Sequence, residues 1–77
     1  MEAREQHNIY INDADEAILQ EIQTNGRATT GLLADIIGKS HPYISKRVTR
    51  LCEHKVLVEV ASGLYDTPQQ AETYLPE

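Results

Sequence analysis

Residues 30–51 read TGLLADIIGKSHPYISKRVTRL, and the reading of this stretch decides the fold. Leu33, Ile36 and Ile37 mark the packed side of a short helix over 31–37. Gly38 follows directly, and a glycine just past a helix accepts the left-handed conformation that ends it. Ser40 stands where an N-cap belongs, and Pro42 falls in the first turn, where a missing N–H costs nothing. Beyond it Ile44, Val48, Leu51, Cys52 and the stem of Lys55 recur at helical spacing. One stripe of a second helix, over 41–54, therefore faces a core.

The opposite face of that second helix carries Pro42, Tyr43, Lys46, Thr49, Arg50 and Glu53, with Arg47 on its flank. A helix set across its neighbour by a turn of three or four residues, with a basic outer side, suits a DNA major groove. A solvated charged face is the commoner meaning of such residues, so the distribution of charge decides. Lys39, Lys46, Arg47, Arg50 and Lys55, five of the chain's seven Lys and Arg, fall between 39 and 55, opposed only by Glu53. That segment carries +4 and the remainder −9, within a net charge of −5. Segregation on this scale points to a polyanion-facing patch.

Upstream, 1–11 reads as a polar arm that ends in the apolar cluster Ile9, Tyr10 and Ile11, which either docks on the core or meets a second subunit. Asp13 and Glu16 fit a capping box at the start of a helix, with Asp15 and Glu16 at the positive end of its dipole. Ala14, Ala17, Ile18, Leu19 and Ile22 face inward, and Asn25-Gly26 stops the helix. Arg27 to Thr29 form an extended link. Thr30, with Thr29 as the alternative, caps the next helix, and hydroxyls there either only cap or also hold a DNA phosphate.

Downstream, Val56 to Ala61, the turn Ser62-Gly63 and Leu64 to Asp66 read as a β-hairpin. Thr67-Pro68 opens a last helix to about Leu75, with Ala71, Tyr74 and Leu75 apolar, and Pro76 stops it. The fold class is mainly α with a small β-hairpin, in one domain over 12–75.

Seventy-seven residues lie near the lower limit for a core without staples, and a single cysteine excludes an internal disulfide framework. Cys52, on the apolar stripe, reads as a buried thiol. No apolar run spans a bilayer and no signal peptide is seen, so the expectation is a cytoplasmic, nucleoid-associated protein without membrane contact. No Ser/His/Asp set, glycine-rich phosphate loop or paired carboxylates stand out, which argues against an enzyme, a cofactor or a small-molecule substrate. Cys52 and His54, two apart on a helix, point to different sides, which argues against a metal site. The acidic total weakens long-range attraction to phosphate, and one resolution is a cell of very high internal salt.

The order helix, link, helix, turn, basic helix and hairpin resembles the winged helix-turn-helix family. Leu33-Ala34, Gly38, Ser40, Ile44, Val48 and Leu51 match its spacing LAxxxGxSxxxVxxxVxxL, with Ile44 in the first Val place. Gly63-Leu64-Tyr65-Asp66-Thr67 is similar to the wing and exit of small MarR-like and archaeal regulators, and the acidic body is most similar to small repressor-like proteins of halophilic archaea and their phages. The resemblance implies a three-helix core, a β wing, a short C-terminal helix and a transcriptional regulator of double-stranded DNA, a repressor in type. Base and phosphate reading then fall on Ser40, His41, Tyr43, Lys46, Arg47, Thr49 and Arg50, with Thr29 and Thr30 at the preceding helix start. Ser62 and Gly63 would lie over the adjacent minor groove, although this tip carries no Lys or Arg. Lys55 stands where the family often has glycine. A homodimer is expected, and the first helix with Ile9 to Ile11 and the last helix with Tyr74 and Leu75 are either its interface or plain core. The rival is the same fold used for protein binding within a transcription or chromatin assembly.

Overall fold

The computed structural model describes residues 10–74, with helices α1 (Asp13–Asn25), α2 (Thr30–Ile37), α3 (His41–Glu53) and α4 (Pro68–Tyr74). Strands β1 (Ala28–Thr29), β2 (Val58–Ala61) and β3 (Leu64–Asp66) form one antiparallel sheet in the order β1-β3-β2. The polar arm 1–8, Ile9, Leu75 and Pro76 lie outside the described residues, as does the side chain of Tyr74.

The start of α1 is one residue earlier than its acidic residues suggest. Asn12, not Asp13, is the N-cap: its Oδ1 accepts the Asp15 N–H at 2.8 Å, and Asp15 Oδ2 accepts the Asn12 N–H at 3.1 Å. Asp15 therefore takes the box position expected for Glu16. Asn and Asp cap about equally well, so packing rather than cap preference sets this register. It buries Ala14, Ile18 and Ile22 and leaves Ala17 and Leu19 half-buried. Ile11 also enters the core, whereas Tyr10 remains exposed.

Thr29, the alternative cap, rather than Thr30, closes the start of α2, its Oγ1 accepting the Leu32 N–H at 3.1 Å. Leu33 and Ala34 are the buried residues of this helix, while Ile36, expected inside, is exposed. Gly38 ends it at φ +81°, and the turn through Lys39 reaches the Ser40 cap of α3. Ile44, Val48 and Leu51 from α3 then meet Ile18, Ile22 and Leu33 in a single core that Leu57 completes. Truncating such buried aliphatics costs about 2–5 kcal/mol, so this stripe alone fixes which side of α3 is left outward.

Lys55 has φ +67°, the glycine-like value, and its backbone completes the end of α3. Its N–H donates to Cys52 O at 3.0 Å, and the Val56 N–H donates to Leu51 O at 2.9 Å, which is the Schellman pattern. The side chain is exposed, so its stem does not extend the core stripe. An L-residue in this conformation is strained by about 1–2 kcal/mol. Lys55→Gly is expected to stabilise the fold by about 1 kcal/mol, less the added unfolded-chain entropy, and urea unfolding would read it.

The sheet is shorter than the Val56–Ala61 run suggests, because Leu57 turns into the core before β2 begins at Val58. Ala28 pairs with Tyr65 and Thr29 with Leu64, so the link before α2 is stitched to the wing. A register shift between Glu59 and Ala61 bends β2 toward the tip. Thr67 caps α4, its Oγ1 accepting the Gln70 N–H at 3.2 Å. Buried Asp66 accepts from the Thr67 N–H and Gln70 Nε2, each at 2.8 Å, and pairs with Arg27 at 3.3 Å. Gln70 Nε2 also donates to Ile22 O at 3.2 Å.

Candidate nucleic-acid interface

Ser40 Oγ accepts the Tyr43 N–H at 3.3 Å and so anchors the N-terminus of α3. With Ile44, Val48 and Leu51 committed to the core, His41, Pro42, Lys46, Thr49, Arg50 and Glu53 are exposed and Ser45 is half-buried. These residues, together with Arg47, line one shallow depression along the helix. Lys46 and Arg50 lie one turn apart within it and point the same way. A 13-residue helix is about 20 Å long, and a major groove about 12 Å wide admits it.

The five clustered cations do not form one patch. Lys46 and Arg50 share the outer face of α3, and Arg47 borders the same depression. Lys39 lines the adjoining concavity of the α2–α3 turn with Gly31, Asp35 and His41, and His41 belongs to both surfaces. Lys55 turns instead toward a groove with Cys52, Leu57, Glu59 and Pro68. Arg47, expected on the flank of the α3 face, is engaged from beneath. Its Nε–H donates to Asp15 Oδ1 at 2.8 Å and its Nη2 to Oδ2 at 2.5 Å, a forked pair with a carboxylate that is 0% exposed. The hydrogen bonds to Asp15 raise the Arg47 pKa above its ordinary value, against an opposing effect of burial.

Tyr43 is 37% exposed, and its hydroxyl accepts from Asn12 Nδ2 at 3.2 Å. Tyr43 and Arg47, four apart on α3, are thus both held by the first turn of α1. Asn12 and Asp15 were not among the residues expected to shape this face. Asp15 lies 32 positions from Arg47, and no local spacing signals such a contact. Thr29 and Ser40 use their hydroxyls as caps. Ser62 and Gly63 form the wing tip, where Glu59 Oε2 accepts the Gly63 N–H at 2.8 Å. A carboxylate, rather than a cation, therefore organises the tip.

Cys52 is half-buried beside the wing, not fully enclosed as its position on the stripe suggests. Burial pushes its thiol pKa up, and the charges of Glu59 and Glu53 push it in the same direction. Its neutral form is the ordinary one, which makes it a poor nucleophile or metal ligand. Among the described residues no three His, Cys, Asp or Glu gather as a metal site, and no helix is long and apolar enough to cross a membrane.

A family model for winged helix-turn-helix DNA-binding domains matches residues 11–57, from the buried Ile11 to the core residue Leu57. The chain belongs to the winged helix-turn-helix DNA-binding family. Neither the curated proteins nor the solved structures searched give a match. Membership indicates DNA binding and a place in transcription regulation. In this winged helix-turn-helix the match ends before the hairpin, so the wing is established by the sheet β1-β3-β2 itself.

Proposed function

We propose that the chain is a sequence-specific regulator of double-stranded DNA, a repressor that works by occupying its site. The observation that carries this reading is the face of α3 left exposed among the described residues, where Lys46 and Arg50 stand together beside His41, Ser45 and Thr49. Lys46 or Arg50 donates to a guanine edge, and Thr49 and Ser45 supply shorter polar contacts. Lys39 and the starts of α2 and α3, with Thr29, Thr30 and Ser40, meet phosphates on either side. Ser62 and Gly63 approach the next minor groove without adding charge.

A single module of this size buries about 600–1,000 Å² of its surface on DNA, which favours a homodimer on a two-fold operator. Ile11 is committed to its own core, so α1, Tyr10 and α4 are the described parts left for that contact. A protein-binding role draws separate support from Leu32 and Ile36, which are exposed one turn apart on α2.

Selection of bound duplexes from a random pool tests the reading. Enrichment of one short motif, repeated with two-fold symmetry, is the expected result. Retention of duplexes without any motif, or of none, removes the sequence-specific regulator.

A further inference from the structure

The first turn of α1 does more than start a helix. Asp15 closes the capping box with Asn12, and the same carboxylate receives both arms of the Arg47 fork. Beside it, Asn12 holds the hydroxyl of Tyr43. Tyr43 and Arg47 lie on one edge of α3, a turn apart; Arg47 borders the depression that Lys46 and Arg50 line, but its fork is turned to Asp15. Two bonds a turn apart along a helix edge oppose its rolling about its own axis. The Asp15 carboxylate is 0% exposed and the Arg47 side chain 17%, so water does not compete strongly for the pair.

We propose that Asp15 is a positioning residue that withholds Arg47 from DNA and, with the Asn12–Tyr43 bond, sets the roll of α3 so that Lys46 and Arg50 meet the groove. This rests on the DNA-binding reading and deepens it. Arg47 sits within the most cationic stretch of the chain, yet its charge is cancelled before DNA arrives. A phosphate would have to displace a forked carboxylate to recruit it. The α3 contribution to counterion release is therefore that of Lys46 and Arg50 alone.

The salt dependence of affinity counts such cations, since each phosphate neutralised adds about 0.9 to the slope of log K against log salt. Binding is measured by fluorescence anisotropy on one duplex between 50 and 200 mM KCl, an interval of about fourfold in the counterion term. The central variant is the double exchange Asp15→Asn/Arg47→Gln, which replaces the ion pair by a neutral hydrogen-bonded pair and keeps the fold. Its slope is expected to equal that of the unmutated chain, because Arg47 contributes nothing there. Asp15→Asn alone frees the guanidinium. Its slope is expected to steepen by about 0.9, so the same salt interval costs it about 3.5-fold more affinity. Asp13→Asn, which removes an exposed carboxylate from the same turn, controls for net charge and should leave the slope unchanged.

A double variant whose slope is shallower by about 0.9 would mean that Arg47 already binds phosphate, and the proposal would fall while DNA binding stood. An Asp15→Asn slope no steeper than that of Asp13→Asn overturns it equally. If the unmutated chain binds no duplex, the DNA-binding reading fails and the withholding fails with it. A pair that were merely structural would lower the melting temperature of these variants and leave every slope unchanged.

Discussion

Exchange of Lys46 and Arg50 together for alanine is expected to weaken DNA binding by about 2–4 kcal/mol and to flatten its salt slope by about 1, the share of the phosphate contact. The size follows from their placement. Both are exposed on the side of α3 that the core stripe cannot use, and among the described residues neither has an ion-pair or hydrogen-bond partner to surrender. A good bidentate contact to a base is worth about 1–3 kcal/mol, and a phosphate contact acts uniformly across sequences. The single variants then separate the roles. The residue that reads a base relaxes preference at one position, whereas the other lowers affinity for every duplex. Titration at two salt concentrations with matched and scrambled duplexes checks both statements. Unchanged affinity and slope in the double variant would remove α3 from the groove.

The largest expected loss of stability comes from Arg47→Ala. It strips a fully enclosed carboxylate of its forked partner and leaves it only the Asn12 N–H. Breaking a buried ion pair from one side costs about 3–5 kcal/mol, because the remaining charge has no water to replace the lost contacts. A small domain holds about 5–10 kcal/mol in all, so the loss takes a third or more of it. Lys46→Ala, one position away on the exposed face, should stay within about 0.5 kcal/mol. Urea unfolding of the two variants side by side tests the contrast. Asp15→Asn/Arg47→Gln should recover much of the difference, since neither side is then left charged. Equal midpoints for Arg47→Ala and Lys46→Ala would show that the pair contributes little.

How much of this was legible beforehand divides by the range of the interactions. Gly38, Ser40 and Pro42 act through their own turns, and the helix-turn-helix they mark appears at those residues. Ile44, Val48 and Leu51 repeat at the period of a helix and all enter the core. Where two adjacent residues do the same local work the register slips, as with Asn12 for Asp13 and Thr29 for Thr30. Lys55 hides a helix ending that glycine would have announced, since the positive φ is imposed by the Schellman bonds rather than by the residue. Ile36 carries the hydropathy of a core residue and no local mark of its exposure. The fork between Asp15 and Arg47 is of another kind. Both residues fit their local roles, as a helix-start acid and a basic helix flank, and only the crossing of α1 and α3 brings them together. Composition counted Arg47 with the cations offered to DNA, and tertiary geometry subtracts it.

Asp66 is the last residue of its strand, yet it gathers Arg27 from the link, Gln70 from α4 and, through Gln70, the carbonyl of Ile22. A hairpin moored at that depth cannot flap as an independent finger. The last helix, through Gln70, becomes a buttress: a chain cut back to residue 67 would leave an enclosed anion short of a donor. Shortening this protein to its DNA-facing half would thus dismantle the scaffold that aims it.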